Sequence, residues 1–92
     1  MTLDALVLHL STMARHETTL EHIRRLDPGL HWRKVEACLK HLGAEVYEGS
    51  GSTVTFVVGG RKLTVDRPHR RKECGLGLVK RVRNYLESLG HL

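Results

Sequence analysis

The apolar positions change period twice along the chain, and each change marks a change of element. Leu3, Leu6, Val7, Leu10 and Met13 recur at intervals of three and four, which stacks side chains along one helical face. Thr2 supplies an N-cap for this first helix and Asp4 an acid in its first turn. A second helix is predicted to start at Thr18, where Glu21 completes a capping box and Leu20, Ile23 and Leu26 form the stripe. Asp27-Pro28-Gly29 breaks it, because proline disfavours helix at the residue before it and glycine accepts a turn. Trp32, Val35, Leu39 and Leu42 then define a helix over 30–42 that stops at Gly43.

Past Gly43 the period falls to two. Residues 44–48 read as a short strand with Val46 inward, and Gly49-Ser50-Gly51 as a hairpin connection. In 52–58, Val54, Phe56 and Val58 alternate with Thr53, Thr55 and Val57, the clearest strand pattern in the chain. Gly59-Gly60 makes a two-residue turn, and Leu63 and Val65 continue the inward face while Lys62, Thr64 and Asp66 point out. Pro68 ends the pairing, having no N–H to donate. A last helix is predicted over 72–88, with Leu78, Val79, Val82, Leu86 and Leu89 buried and Lys80, Arg81, Arg83 and Asn84 outward. Gly75 and Gly77 in its first turn are poor helix formers, which fits either close approach of another backbone or of a phosphate, or simply a frayed first turn. The expected fold class is α+β: a three-stranded antiparallel meander with helices packed on one face and extra N-terminal helices. The apolar faces of those first helices must cover either the sheet or a second copy of the chain, so a homodimer through them is among the expected associations.

Ninety-two residues suffice for one core. Charge changes the picture more. From Arg61 onward nine Lys or Arg face three acids, a balance of +6, whereas residues 1–60 carry −1. A basic half of this kind suits a polyanion, or serves as plain solubility charge. The two cysteines, Cys38 and Cys74, fit no metal or disulfide framework, which points to a reducing cytoplasm. No apolar run is long enough for a membrane span, and no membrane partner is expected.

The candidate chemistry converges on His69, which follows Arg67-Pro68 and precedes Arg70, Arg71 and Lys72. An imidazole moves protons near neutral pH, and neighbouring cations would hold a phosphate beside it. A ribonuclease that uses the RNA 2′-hydroxyl as nucleophile needs little more. The bland alternative is a loop histidine that binds phosphate or nothing. The remaining histidines have no ligand-motif spacing, so neither metal nor other cofactor is expected. Gly49-Ser50-Gly51-Ser52 lacks the lysine of a P-loop, but Ser50 and Ser52 are candidates to contact an RNA backbone, as is Lys62 on the outward sheet face. With Trp32 and Phe56 assigned to the core, Tyr47 and Tyr85 remain as stacking platforms.

Five pieces together carry a resemblance: Trp32-Arg33-Lys34-Val35-Glu36, Leu42-Gly43-Ala44-Glu45-Val46, Glu48-Gly49-Ser50-Gly51-Ser52, Arg67-Pro68-His69, and the closing helix from Val79 to Gly90. Over about residues 18–90 the chain resembles the HicA family of toxin–antitoxin systems. The resemblance implies a double-stranded-RNA-binding-domain-like α-β-β-β-α fold over 30–92, preceded by a helical extension over 1–29. It also implies a cytoplasmic mRNA-cleaving endoribonuclease, an mRNA interferase held inactive by an acidic HicB-like antitoxin. Many HicA-like toxins carry Gly-Ser-His-His where this chain has Gly49-Ser50-Gly51-Ser52, and Gly51 stands at the position of their catalytic histidine. The chain is similar instead to a branch that pairs Gly-Ser-Gly-Ser with Arg-Pro-His. His69 is then the catalytic candidate, and Ser50, Ser52, Lys62, Arg67, Arg70, Arg71 and Lys72 are the phosphate-binding candidates. Leu76 replaces a lysine usual before the glycine of the last helix. Two other readings compete: an RNA-binding module without catalysis, and a subunit whose basic face only binds the antitoxin.

Overall fold

A computed structural model describes residues 15–92. The Thr2 cap, the Leu3 to Met13 stripe and a dimer built on them lie outside the described residues. Residues 15–24 are helical (α1), followed by α2 (Trp32–His41), β1 (Glu45–Glu48), β2 (Thr53–Val58), β3 (Arg61–Asp66) and α3 (Leu76–Ser88). The strands form one antiparallel sheet in the order β1-β2-β3, so the meander and the α+β, double-stranded-RNA-binding-domain-like class are as expected.

The period-two pattern sets the register. Val54 faces Val65 and Phe56 faces Leu63 across β2 and β3, and all four are buried. They meet Trp32, Val35 and Leu39 of α2 and Val79, Val82 and Leu86 of α3 in a single core. Trp32 and Phe56 pack with ring centroids 5.9 Å apart at 60°, a tilted arrangement that aromatic quadrupoles favour. On the opposite face Thr55 and Thr64 share a hydrogen bond of 2.8 Å and Thr53 donates to Asp66 at 2.9 Å, polar cross-strand pairs suited to the solvated side of a sheet. The β2–β3 turn works because Gly59 and Gly60 both take positive φ, 56° and 79°, the two-residue geometry whose twist matches the strands.

Three expectations need correction. Residues 15–24 are already helical, so Thr18 lies inside α1 rather than capping it. Ile23 of this helix is fully buried in the core. Tyr85 is also a core residue, 7 % exposed, with its hydroxyl donating to the Arg61 carbonyl at 2.9 Å; it is no stacking platform. Of the tyrosines, Tyr47 is the exposed one, at 54 %.

The third correction positions the site. α3 begins at Leu76 rather than near residue 72, because the preceding backbone is spent on tertiary pairing. Trp32 N–H donates to the Lys72 carbonyl at 2.8 Å, Cys74 N–H to that of Leu30 at 2.8 Å, and Gly75 N–H to that of Pro28 at 2.9 Å. His31 and Glu73 face each other in this short antiparallel bridge. Gly75 then turns the chain into α3 with φ 78°, a conformation costly for any residue with a Cβ. At Gly77 a Cβ would meet open space, and nothing in the structure explains the glycine.

Candidate nucleic-acid interface

The bridge between residues 28–32 and 72–75 folds the Pro68 to Lys72 loop against the start of α2. The result is a groove of about 260 Å³ lined by His31, Trp32, Arg33, Pro68, His69, Arg70, Arg71 and Lys72. His69, Arg70, Arg71 and Lys72 are all exposed, so their charges face water and any anion that enters. Arg33 comes from α2, almost forty positions earlier in the chain, and adds a fourth cation to the same wall. Sequence reasoning missed Arg33 and His31, since no local spacing connects them to residues 69–72.

α2 contributes its end without contributing amides. His31 is its N-cap, with extended backbone (φ −70°, ψ 130°) and Nδ1 accepting the Arg33 N–H at 3.3 Å. The Trp32 amide serves Lys72, and the Lys34 amide bonds the His31 carbonyl at 3.0 Å. The first donors of the helix are thereby satisfied, and anion recognition at this end falls to side chains. Trp32 Nε1 is buried beneath them without a hydrogen-bond partner among the described residues.

Arg67 is engaged differently from its basic neighbours. Its Nη1 bonds Glu48 Oε1 at 2.5 Å, and its Nη2 bonds Glu36 Oε1 at 2.6 Å and Glu48 Oε2 at 2.8 Å. Bidentate pairing to Glu48 and a further bond to Glu36 hold the guanidinium charged, raising its pKa further. In turn Arg67 pulls the Glu48 carboxyl below its ordinary range. The Arg67 amide also donates to the Ser52 carbonyl at 3.0 Å, and Thr53 N–H to that of Ser50 at 3.1 Å. The Gly-Ser-Gly-Ser connection is thus tied by backbone to the residue that begins the His69 loop, with Ser50 exposed and Ser52 half-buried.

Lys62 is not part of the His69 groove. It sits on the open sheet face, where it lines a separate depression of about 370 Å³ with Tyr47, Thr55 and Val57. This hollow is larger but holds one cation and no imidazole. Among the described residues no group of three or more His, Cys, Asp or Glu is placed to hold a metal ion, and no helix is long and apolar enough to cross a membrane.

Comparison with curated proteins and with solved structures gave no match. A family model described as the HicA toxin of bacterial toxin-antitoxin matches residues 32–90, from the first residue of α2 to just past the end of α3.

Proposed function

The chain belongs to the HicA toxin family, and from that premise we propose that it cleaves mRNA in the groove where His69 stands among Arg33, Arg70, Arg71 and Lys72. A toxin of this family has an antitoxin partner. We place the family domain at 30–92 and treat 1–29 as an extension whose Ile23 helps fill the core.

The observation that carries the reading is the company of the imidazole. His69 is exposed beside three consecutive cations, with a fourth contributed to the groove by α2. A phosphodiester held by these charges would present its ribose to His69, which accepts the 2′-hydroxyl proton as the oxygen attacks phosphorus. The 5′ oxygen departs, leaving a 2′,3′-cyclic phosphate on one fragment and a 5′-hydroxyl on the other. The cations counter the charge that builds on the phosphorane oxygens. Arg67, committed to Glu36 and Glu48, holds the loop in place, while Ser50, Ser52 and Lys62 are assigned to flanking backbone of a longer RNA. The same basic groove is complementary to an acidic antitoxin, whose binding would exclude RNA.

The test is direct. Purified toxin incubated with mRNA should yield fragments with cyclic-phosphate ends, and His69→Ala should yield none while still binding RNA. Intact mRNA with the parent protein would overturn the enzymatic reading. One feature favours the alternative of an RNA-binding module without catalysis: Gly51 leaves the exposed β1–β2 connection without an imidazole. That reading predicts salt-sensitive RNA binding and no fragments at any protein concentration.

A further inference from the structure

A second imidazole lines the groove, contributed by a residue that belongs to none of the motifs around His69. His31 is half-buried at the N-cap of α2, shares the groove with His69, and is held across from Glu73 by the backbone bridge. Its Nδ1 accepts the Arg33 N–H at 3.3 Å. An acceptor at Nδ1 puts the proton of the neutral ring on Nε2, so the cap fixes the tautomer that offers a donor. Moreover, the amides of Trp32, Arg33 and Lys34 are already bonded, which leaves the side chains of His31 and Arg33 as the donors that this helix end offers to the groove.

We propose that His31 is a substrate-binding and transition-state-stabilising residue: its Nε2–H donates to a non-bridging oxygen of the RNA phosphodiester that the 2′-hydroxyl attacks as His69 takes its proton. The inference rests on the RNA-cleavage reading above. In the step itself the 2′-O–H bond breaks and the proton passes to His69. The 2′-O–P bond forms and the P–O5′ bond breaks. The departing oxygen takes a proton from solvent, and His69 later returns its own proton to solvent. His31 transfers no proton in this step: its Nδ1 is engaged as the acceptor of the Arg33 N–H, and its Nε2–H acts as a hydrogen-bond donor. Its contribution is electrostatic, a donor aimed where negative charge develops.

His31→Ser separates this role from the cap, since a serine hydroxyl is a good N-cap acceptor but does not reach as far as an imidazole. The variant is compared with the parent on a single-stranded RNA oligonucleotide, and its thermal midpoint and pH profile are measured alongside. The expected result is an unchanged midpoint and an unchanged profile shape, with kcat reduced about 100-fold, the scale of losing one oxyanion donor. His31→Ala, which loses cap and donor together, should show the same fall in kcat and in addition a lower midpoint. If the parent cleaves and His31→Ser cleaves equally well, the inference fails and the cleavage reading stands. A serine variant that loses one limb of the pH profile would assign His31 a titrating role and overturn the donor. If rate and midpoint fall together in both variants, the role is structural and the inference is overturned. A parent protein without cleavage defeats the inference together with the reading beneath it.

Discussion

Arg67 Nη2 lies 2.6 Å from Glu36 Oε1, joining the end of β3 to the middle of α2 just before the His69 loop begins. The two side chains are 26 % and 18 % exposed, so water screens this pair less than the other ion pairs among the described residues. Glu36→Gln should therefore cost about 1–2 kcal/mol in urea unfolding, the scale of a charge-assisted hydrogen bond. Glu48→Gln, at a more exposed carboxylate, should cost less. If the Arg67 pair serves mainly to place the loop, Glu36→Gln should also lower RNA cleavage although residue 36 does not line the groove.

The Glu48 carboxyl is depressed first by its hydrogen bond to Arg67, and that of Asp27 by the Gly29 amide and then by His22. A depressed folded value means that the unfolded chain binds protons first as the solution is acidified. Both contributions are complete above the ordinary carboxylate range and are lost as pH falls through the folded values. The carboxylate contribution to the urea midpoint should decline below about pH 4.5. In Arg67→Ala the part due to Glu48 should vanish from that decline.

His16 stacks on His41 with ring centroids 4.1 Å apart and planes 14° from parallel. Burial lowers the His16 pKa, followed by the charges of His41 and Arg15. As with the carboxylates, a depressed folded value gives stability that is present above the ordinary histidine value and is lost as pH drops below it. Amide protection over residues 15–24, with exchange corrected for its intrinsic pH dependence, should accordingly fall between about pH 7 and pH 5.5. His41→Ala should flatten that dependence.

Burial raises the thiols of Cys38 and Cys74 to about 11, from an ordinary 9.0. Each thiolate is then about a hundredfold scarcer at neutral pH than in an exposed cysteine. Alkylation of the native protein should be slow at pH 7 and reach the rate of a free thiol in urea. Rapid native modification would show that α1 opens from α2, where Cys38 is covered.

Salt dependence distinguishes the groove from the sheet face. Arg70→Ala, Arg71→Ala and Lys72→Ala should each lower the slope of log affinity for single-stranded RNA against log salt by about 0.7. Lys62→Ala should leave the slope for a short RNA confined to the His69 groove unchanged and lower it for one long enough to reach the sheet.

The alternation from Thr53 to Asp66 determined the hairpin, its register and its buried face by itself, because side-chain direction in a strand is a local property and Gly59-Gly60 admits one tight turn. The α2 stripe, with Trp32 against the sheet, was legible for the same reason, as were the His69 loop and its cations, which are contiguous in the chain. Local signals misplaced what nonlocal bonds control. The start of α3 moved from residue 72 to Leu76 because residues 72–75 bond the backbone of 28–32, a partner no window on either segment contains. Tyr85 went into the core because the Arg61 carbonyl was within reach of its hydroxyl. Arg67 looked like its basic neighbours until folding set Glu36 and Glu48 beside it, and His31 and Arg33 joined the groove through that same backbone bridge. Periodicity and turn chemistry are written in neighbours along the chain. Which charges are spent on each other and which stay available to a phosphate depends on distances that exist only once the chain has folded.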